Sequence, residues 1–240
     1  MRLALAQIKP VAGDIDNNLA SHLKCVEKAH LYQCDAIFFP ELSLTGYEPE
    51  LAHELGMHFD DVRLNPFQEK SDSYNMVLGV GVPTIKGDNR LISMVVFQPN
   101  KDRTIYSKQL LHADELPFFI PGDDQQYVTV QGVKIALAIC YESVQMAHFT
   151  NAMQKSFDIY LASVAKPQRA ITNAHNHYKQ LAIEFNIPVL MVNSVGPSDN
   201  FIACGNSAVW SKNGDTFEIQ NSDQEALLLY NHMSLTTSIH

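Results

Sequence analysis

Long apolar runs are missing from these 240 residues. No stretch approaches the ~18 residues or more that span a bilayer, so a transmembrane helix is not expected. Clustered basic residues are missing too. Lys and Arg number 17 against 26 Asp and Glu, the formal net charge is -9, and no run of Lys or Arg interrupts that balance. Nucleic-acid binding neutralises phosphates with grouped cations, so a nucleic-acid partner is not expected. Cysteine is scarce: Cys25, Cys34, Cys140 and Cys204, with no CxxC pair. The opening MRLALAQIKP holds a single Arg and a short apolar run before Gly13 and Asp14, which reads as a first strand rather than an export signal. Free thiols in a reducing cytoplasm are the expectation. No internal repeat, low-complexity tract or linker appears, so one domain over residues 1–240 is expected.

What is present is ordinary globular composition, 46% hydrophobic and 18% charged, on a chain long enough to bury a large core without cross-links. Residues 2–8 form a buried-strand pattern. Leu19, Leu23 and Val26 recur at helical spacing, predicting an amphipathic helix over 17–33. DAIFFP (35–40) is a short apolar run ended by Pro40. Residues 51–70 show no clear period. Strand signals then crowd at 76–85, 91–99 and 103–108, separated by Gly87-Asp88-Asn89 and by Pro99 through Asp102, as in a meander. Further strands are predicted at 127–130, 133–139, 157–164 and 187–195, with helices at about 144–155 and 170–186. A last hairpin over 206–220 turns at Asn213-Gly214. The pattern predicts an α/β chain with one mixed sheet, or two sheets packed between helices.

Reactive groups in α/β proteins gather past the carboxyl ends of strands. Three candidates fall there: Glu41 after IFFP, Lys108 after RTIYS and Cys140 after KIALAI. A thiol needs a base to become a nucleophile, and an enclosed carboxylate serves. A fixed cation then holds the oxyanion that forms when sulfur attacks a carbonyl. Each residue alone also has a plain structural explanation. Cysteine is a small buried hydrophobe, Glu41 can cap a helix beginning at Leu42 or face water, and a strand-edge lysine is commonly solvated. Spacing by itself does not bring the three together. His175 and His177 stand two apart on a predicted helix, so they do not share a face and are read as non-ligands.

The segments around the three residues decide the matter. FFPELSLTGY, YSKQLLHADELPFFIPG and IALAICYE resemble, in order, the signature blocks of the nitrilase superfamily of carbon–nitrogen hydrolases. DIYLASVA, LAIEFNIPVLMVNSVG and GNSAVWSKNGD resemble its later segments, so the likeness spans nearly the whole chain. The resemblance implies a four-layer α-β-β-α sandwich with two mixed sheets. It implies Glu41 as general base, Lys108 as oxyanion cation, Cys140 as nucleophile and Glu115 as the family's second glutamate. The separation of Lys108 and Glu115, 115 − 108 = 7, is shorter than is usual in the family. It further implies hydrolysis of a small amide through a thioester, with no metal or organic cofactor, by a homodimer or larger assembly.

Substrate contacts are expected from Tyr47, Tyr141, Phe118 and Glu142, with the backbone N–H of Tyr141 beside the oxyanion. Tyr47, Phe118 and Phe119 line the pocket or fill the core, and Glu142 orders the nucleophile turn or faces water. Many relatives carry C-Y-D-x-R after the nucleophile. Here the run is Cys140-Tyr141-Glu142-Ser143-Val144, so carboxylate recognition by that arginine does not carry over. LTGYEPE resembles amide-hydrolysing members, including glutaminase domains of glutamine-dependent NAD synthetases. No SGGxDS-like loop occurs, so a full synthetase is not expected. The alternatives are a catalytically idle binding or scaffold protein, and a nitrilase or carbamoylase of the same superfamily.

Overall fold

Both faces of the first strand are apolar, and both are covered. In the computed structural model, which describes residues 1–219 and 223–240, β1 (Arg2–Gln7) places Leu3 and Leu5 in one core and Ala4 and Ala6 in another. Alternation at period two makes that division unavoidable in a strand. Along the chain then come α1 (Ile15–Leu31), β2 (Ala36–Phe38), α2 (Ala52–Leu55), α3 (Asn65–Tyr74), β3 (Val77–Lys86), β4 (Asn89–Phe97) and β5 (Thr104–Ser107). The middle holds β6 (Tyr127–Val130), β7 (Val133–Ile139), α4 (Met146–Ala152), β8 (Ile159–Val164), α5 (Gln168–Glu184) and β9 (Val189–Asn193). The chain closes with β10 (Val195–Ser198), β11 (Phe201–Cys204), β12 (Ala208–Trp210), β13 (Thr216–Glu218), β14 (Ala226–Asn231) and β15 (Thr236–Ile239).

Among the described residues the strands form a seven-stranded sheet, β15-β14-β1-β2-β3-β4-β5, a six-stranded sheet, β13-β12-β9-β8-β7-β6, and the ribbon β10-β11. Each large sheet is mixed. Parallel pairs β1-β2-β3 and β7-β8-β9 are flanked by antiparallel ones. Leu3, Phe38 and Ile92 of the first sheet meet Ile135, Leu161 and Leu190 of the second in the central core. On the far side of the first sheet Ala4, Ile37 and Val80 pack against Val26 and Ala29 of α1 and Phe67 of α3. On the far side of the second, Ala136, Tyr160 and Met191 pack against Phe149 of α4 and Ile171, Ala174, Tyr178 and Leu181 of α5. Burying a Leu- or Phe-sized side chain contributes about 1.5–3 kcal/mol, so three such layers leave the strand ends little freedom. The architecture is the α-β-β-α sandwich that the resemblance implies.

Local differences from the expected boundaries have local causes. Helix α1 starts two residues before the predicted 17 because Asp14 caps it, its carboxylate accepting the Asn17 N–H at 3.1 Å. The helix predicted over 144–155 is shorter, because a 3-10 turn over Glu142–Val144 occupies its start. The aperiodic stretch 51–70 holds α2, the 3-10 turn Val62–Leu64 and the start of α3, too short to show a period. No helix begins at Leu42. Its φ of 49° breaks the path into turns, so Glu41 caps nothing. The predicted hairpin ends on Gln220, which lies outside the described residues. Among those residues no helix is long and apolar enough to cross a membrane.

Candidate active site

Glu41, Lys108 and Cys140 each lie one to three positions past a strand: β2, β5 and β7. The first two strands belong to one sheet and the third to the other, so the ends of both sheets close on one region. A hydrogen bond fastens them across the layers, Ser163 Oγ at the end of β8 donating to the Phe39 carbonyl at 2.8 Å.

Cys140 has a φ of 45°, a left-handed conformation that costs a non-glycine residue about 1–3 kcal/mol. The surroundings enforce it. Its N–H donates to Ser163 O at 2.9 Å, and its carbonyl accepts from Ser143 Oγ at 2.5 Å. The turn lifts the sulfur out of the strand and into a cavity of about 530 Å³ that Tyr47, Glu115, Tyr141, Lys166 and His177 also line. In this resting geometry Cys140 Sγ donates to the Ala165 carbonyl at 3.7 Å. The Tyr141 ring stands edge-on to His112, 5.2 Å between centroids.

Lys108 is fully buried between two carboxylates. Its Nζ donates to Glu41 Oε1 at 2.8 Å and to Glu115 Oε1 at 2.6 Å. Glu115 also accepts from Tyr47 Oη at 2.9 Å and from the His112 N–H at 2.7 Å, so both its oxygens are engaged. Glu41 differs: its Oε2 is buried with no hydrogen-bond partner. An unpartnered buried carboxylate oxygen is costly, and beside a thiol it is a proton acceptor. Burial drives the Glu41 pKa up, Lys108 opposes it, and Glu115 adds to the rise. Burial and then the Glu41 charge push the Cys140 thiol up to about 11, against the opposing pull of Lys166 and Lys108. Burial works against the Lys108 ammonium, but the fields of Glu41, Cys140 and Glu115 outweigh it and leave its pKa raised. The resting site therefore holds a protonated thiol and a fixed cation beside the Glu41 carboxyl group.

The positions expected to touch substrate divide. Tyr47 and Tyr141 line the cavity. Phe118 does not: it is 38% exposed and lines a separate hollow with Pro49, Arg90 and Leu116. The turn after Glu115, closed by the Phe118 and Phe119 N–H groups on the Glu115 carbonyl at 3.0 and 2.9 Å, sends neighbouring side chains opposite ways, and Phe119 takes the core. Glu142 does not line the cavity either. Fully buried, it accepts from Tyr106 Oη at 2.5 Å, Ile139 N–H at 2.8 Å, Gln109 N–H at 2.6 Å and Leu110 N–H at 3.1 Å. It joins the nucleophile turn to the chain just past Lys108. Burial pushes its pKa up to about 7.

Of the two histidines set aside as ligands, His175 bonds the Asn206 carbonyl at 3.1 Å and meets Trp210 edge-on. His177 reaches the cavity, and its Nε2 is buried without a partner. No cluster of three His, Cys, Asp or Glu side chains among the described residues is placed to hold a metal ion.

Three further residues matter that the sequence pattern does not single out. Lys166, next after Ala165 beyond β8, lies in the cavity and is 7% exposed; the strand-end rule that selects Cys140 selects it too. Gly81 and Gly122 support the mounts. A Cβ on Gly81 would lie 2.3 Å from Pro40 O and 2.6 Å from Leu42 N, and one on Gly122 would lie 2.3 Å from Ser107 O. Their signal is a glycine inside an apolar strand, and a glycine in a short loop returning past Lys108.

Residues 2–238 match the family model for carbon-nitrogen hydrolase. The chain belongs to that family. Among curated proteins it is similar to the glutamine-dependent NAD(+) synthetase of Acinetobacter baylyi, 26% identical over 234 residues, 89% of this chain and 41% of that protein. The corresponding protein of Thermotoga maritima is 23% identical over 244 residues, 95% of this chain and 41% of that one. The chain thus spans about 41% of the length of these relatives. Among solved structures, the NitN amidase from Nesterenkonia sp. AN1 superposes with a TM-score of 0.87 at 20% identity, covering 96% of this chain and 92% of that one. A CN-hydrolase superfamily protein from Xanthomonas campestris superposes with the same TM-score of 0.87 at 20% identity, over 98% and 92% of the two chains. The fold is that of the nitrilase superfamily.

Proposed function

We propose that this chain hydrolyses the C–N bond of a small non-peptide amide through a thioester on Cys140, releasing ammonia and a carboxylic acid. The observation that carries the reading is the buried Glu41–Lys108–Glu115 cluster, whose Glu115 lines the same cavity as Cys140 and whose charges act on the thiol, with Glu41 Oε2 unpartnered. Sulfur attacks the amide carbonyl while Glu41 takes the thiol proton. The Lys108 ammonium and the Tyr141 backbone N–H receive the developing oxyanion. Glu41 returns the proton to the departing nitrogen, leaving the acyl group on sulfur. Water then attacks the thioester, Glu41 accepts its proton, and the acid leaves as the thiol is restored. Glu115 holds Lys108 and, with Tyr47, fixes where that water stands. A glutamate-to-glutamine mutant of the Nesterenkonia amidase carries the acetamide moiety of fluoroacetamide on its active-site cysteine, and this reading takes Cys140 as the corresponding reactive thiol. The reading also takes the chain as a single domain that assembles as a homodimer or larger in the cytoplasm, which light scattering of the purified protein checks in its oligomeric part.

Ammonia release over a panel of short amides, with mass spectrometry for an acyl adduct on Cys140, tests the reaction. Turnover lost on Cys140→Ala is expected. No ammonia from amides, nitriles or carbamoyl amines, together with alkylation of Cys140 no faster than of Cys25, Cys34 and Cys204, favours an idle binding scaffold instead.

A further inference from the structure

Lys166 is a cation without a counter-ion. Its backbone is clamped: the N–H donates to Asn193 Oδ1 at 2.8 Å, and the carbonyl accepts from Asn193 Nδ2 at 3.2 Å and the Cys204 N–H at 3.0 Å. Among the described residues its ammonium makes no ion pair and no hydrogen bond, although the side chain is 7% exposed and lines the cavity. Lys108, by contrast, is held by two carboxylates. A near-buried charge left unpaired is expensive to maintain. Burial works against the ammonium, but Cys140, Tyr178 and Glu41, once ionised, outweigh it and set its pKa above the usual lysine value, so Lys166 stays charged at neutral pH.

The same wall carries more positive potential. Helix α5, 17 residues long, begins two positions after Lys166 with no side chain capping it, and Arg169 and Ala170 of its first turn line the cavity. A helix N-terminus presents free N–H groups and partial positive charge. His177, farther along α5, adds a ring nitrogen without a partner but no charge, since burial and then Lys166 lower its pKa. The Glu41 and Glu115 carboxylates are already committed to Lys108, and Asp114, which also lines the cavity, bonds His112 Nδ1 at 2.5 Å.

We propose that this wall binds a carboxylate, so that the substrate is an amide whose short acyl chain ends in a carboxylate: a monoamide of a small dicarboxylic acid. Lys166 is the deep anchor and Arg169, exposed at the mouth, the outer one. A cavity of about 530 Å³ accommodates such a molecule. The site replaces, from another element, the arginine absent after Cys140. The inference rests on the amide-hydrolase reading for its turnover, and the second experiment below stands apart from it.

Steady-state rates on succinamate and glutaramate are compared with those on succinamide and glutaramide, isosteres that differ only in the far group. The wild-type protein is expected to favour the carboxylates by about 30-fold or more in kcat/KM, as for a charge-assisted hydrogen bond, and Lys166→Gln to erase most of that ratio through KM. Lys166→Arg should retain part of it. Equal losses on both substrate classes in Lys166→Gln, or a wild-type preference for the diamides, overturn the proposal. Alkylation of Cys140 by iodoacetate against iodoacetamide needs no turnover. The iodoacetate-to-iodoacetamide rate ratio is expected to fall about tenfold in Lys166→Gln, and an unchanged ratio overturns the proposal even if no amide is hydrolysed. Should Lys166→Gln fail to fold, Arg169→Gln at the exposed mouth is expected to lower the same ratio about threefold, and no change there overturns it.

Discussion

Glu142, two residues past the nucleophile, accepts the backbone N–H of Gln109, one residue past Lys108, at 2.6 Å. Its four donors come from β7, from Tyr106 in β5 and from the chain just after β5, so one carboxylate fixes Cys140 relative to Lys108 across two sheets. A carboxamide cannot substitute, because its NH2 would face donors whichever way it turns. Glu142→Gln is expected to lose about 2–4 kcal/mol of stability and at least about tenfold in kcat. Calorimetry and steady-state rates check both. A full-rate variant would show that the tie does not set the site.

The glycines beside the mounts allow a cleaner separation of stability from activity. Gly81→Ala and Gly122→Ala would drive a methyl group into the backbone on either side of Glu41 and just before Lys108. Each is expected to cost about 1–3 kcal/mol and to depress kcat by more than its stability loss explains. Gly132→Ala is the control: its φ is 80° but nothing lies within 4 Å, so backbone strain appears with turnover retained. Equal rate losses in all three variants would refute the steric argument.

Glu41→Gln removes the proton acceptor while keeping the shape. A loss of about 10²–10⁴ in kcat is expected. Alkylation of Cys140 should then follow simple thiol ionisation, rising about tenfold per pH unit towards a midpoint below about 11, since Glu41 itself raises that value. The wild-type profile should be flatter. Identical profiles in the two proteins would mean that Glu41 does not take the proton.

Acid stability depends on His22. Wholly buried, it bonds Asn18 O at 2.7 Å and Ser43 Oγ at 3.0 Å, bracing the chain after Glu41, and burial lowers its pKa from 6.5 to about 4. The unfolded chain protonates this residue below 6.5 while the folded protein resists until about 4, so stability is present above that window and lost as pH falls through it. The interval of 6.5 − 4 = 2.5 units corresponds to about 3 kcal/mol. Glu142, raised to about 7, works in the opposite direction, favouring the folded state at lower pH. The informative quantity is therefore the difference in unfolding free energy between wild type and His22→Gln. It should shrink by about 3 kcal/mol between pH 7 and pH 4, and a constant difference would remove His22 from the account.

The apolar strands are legible in the sequence because a strand buried on both faces reads as a continuous run, as in residues 135–139 and 159–164. The residues at the ends of 36–38, 104–107 and 133–139 are legible because reactive groups sit past such runs. The rest depends on contacts between segments distant in sequence. Phe118 and Phe119 are alike as letters, and only the turn on Glu115 decides which faces the core. Glu142 is an acidic residue after a cysteine until Gln109, 33 positions away, is brought to it. Lys166 obeys the strand-end rule as Cys140 does, but nothing in its own segment distinguishes an ammonium facing a cavity from one facing water.

Glu41 and Lys108 ride on one sheet, Cys140 and Lys166 on the other, with an apolar layer between. The distance from sulfur to base is therefore a gauge of how the two sheets are seated. Trimming a central side chain such as Leu161 or Ile92, which face the layer between the sheets and do not line the cavity, would let the halves slip by fractions of an ångström. The protein would keep its shape and lose its chemistry, with alignment failing before cohesion does.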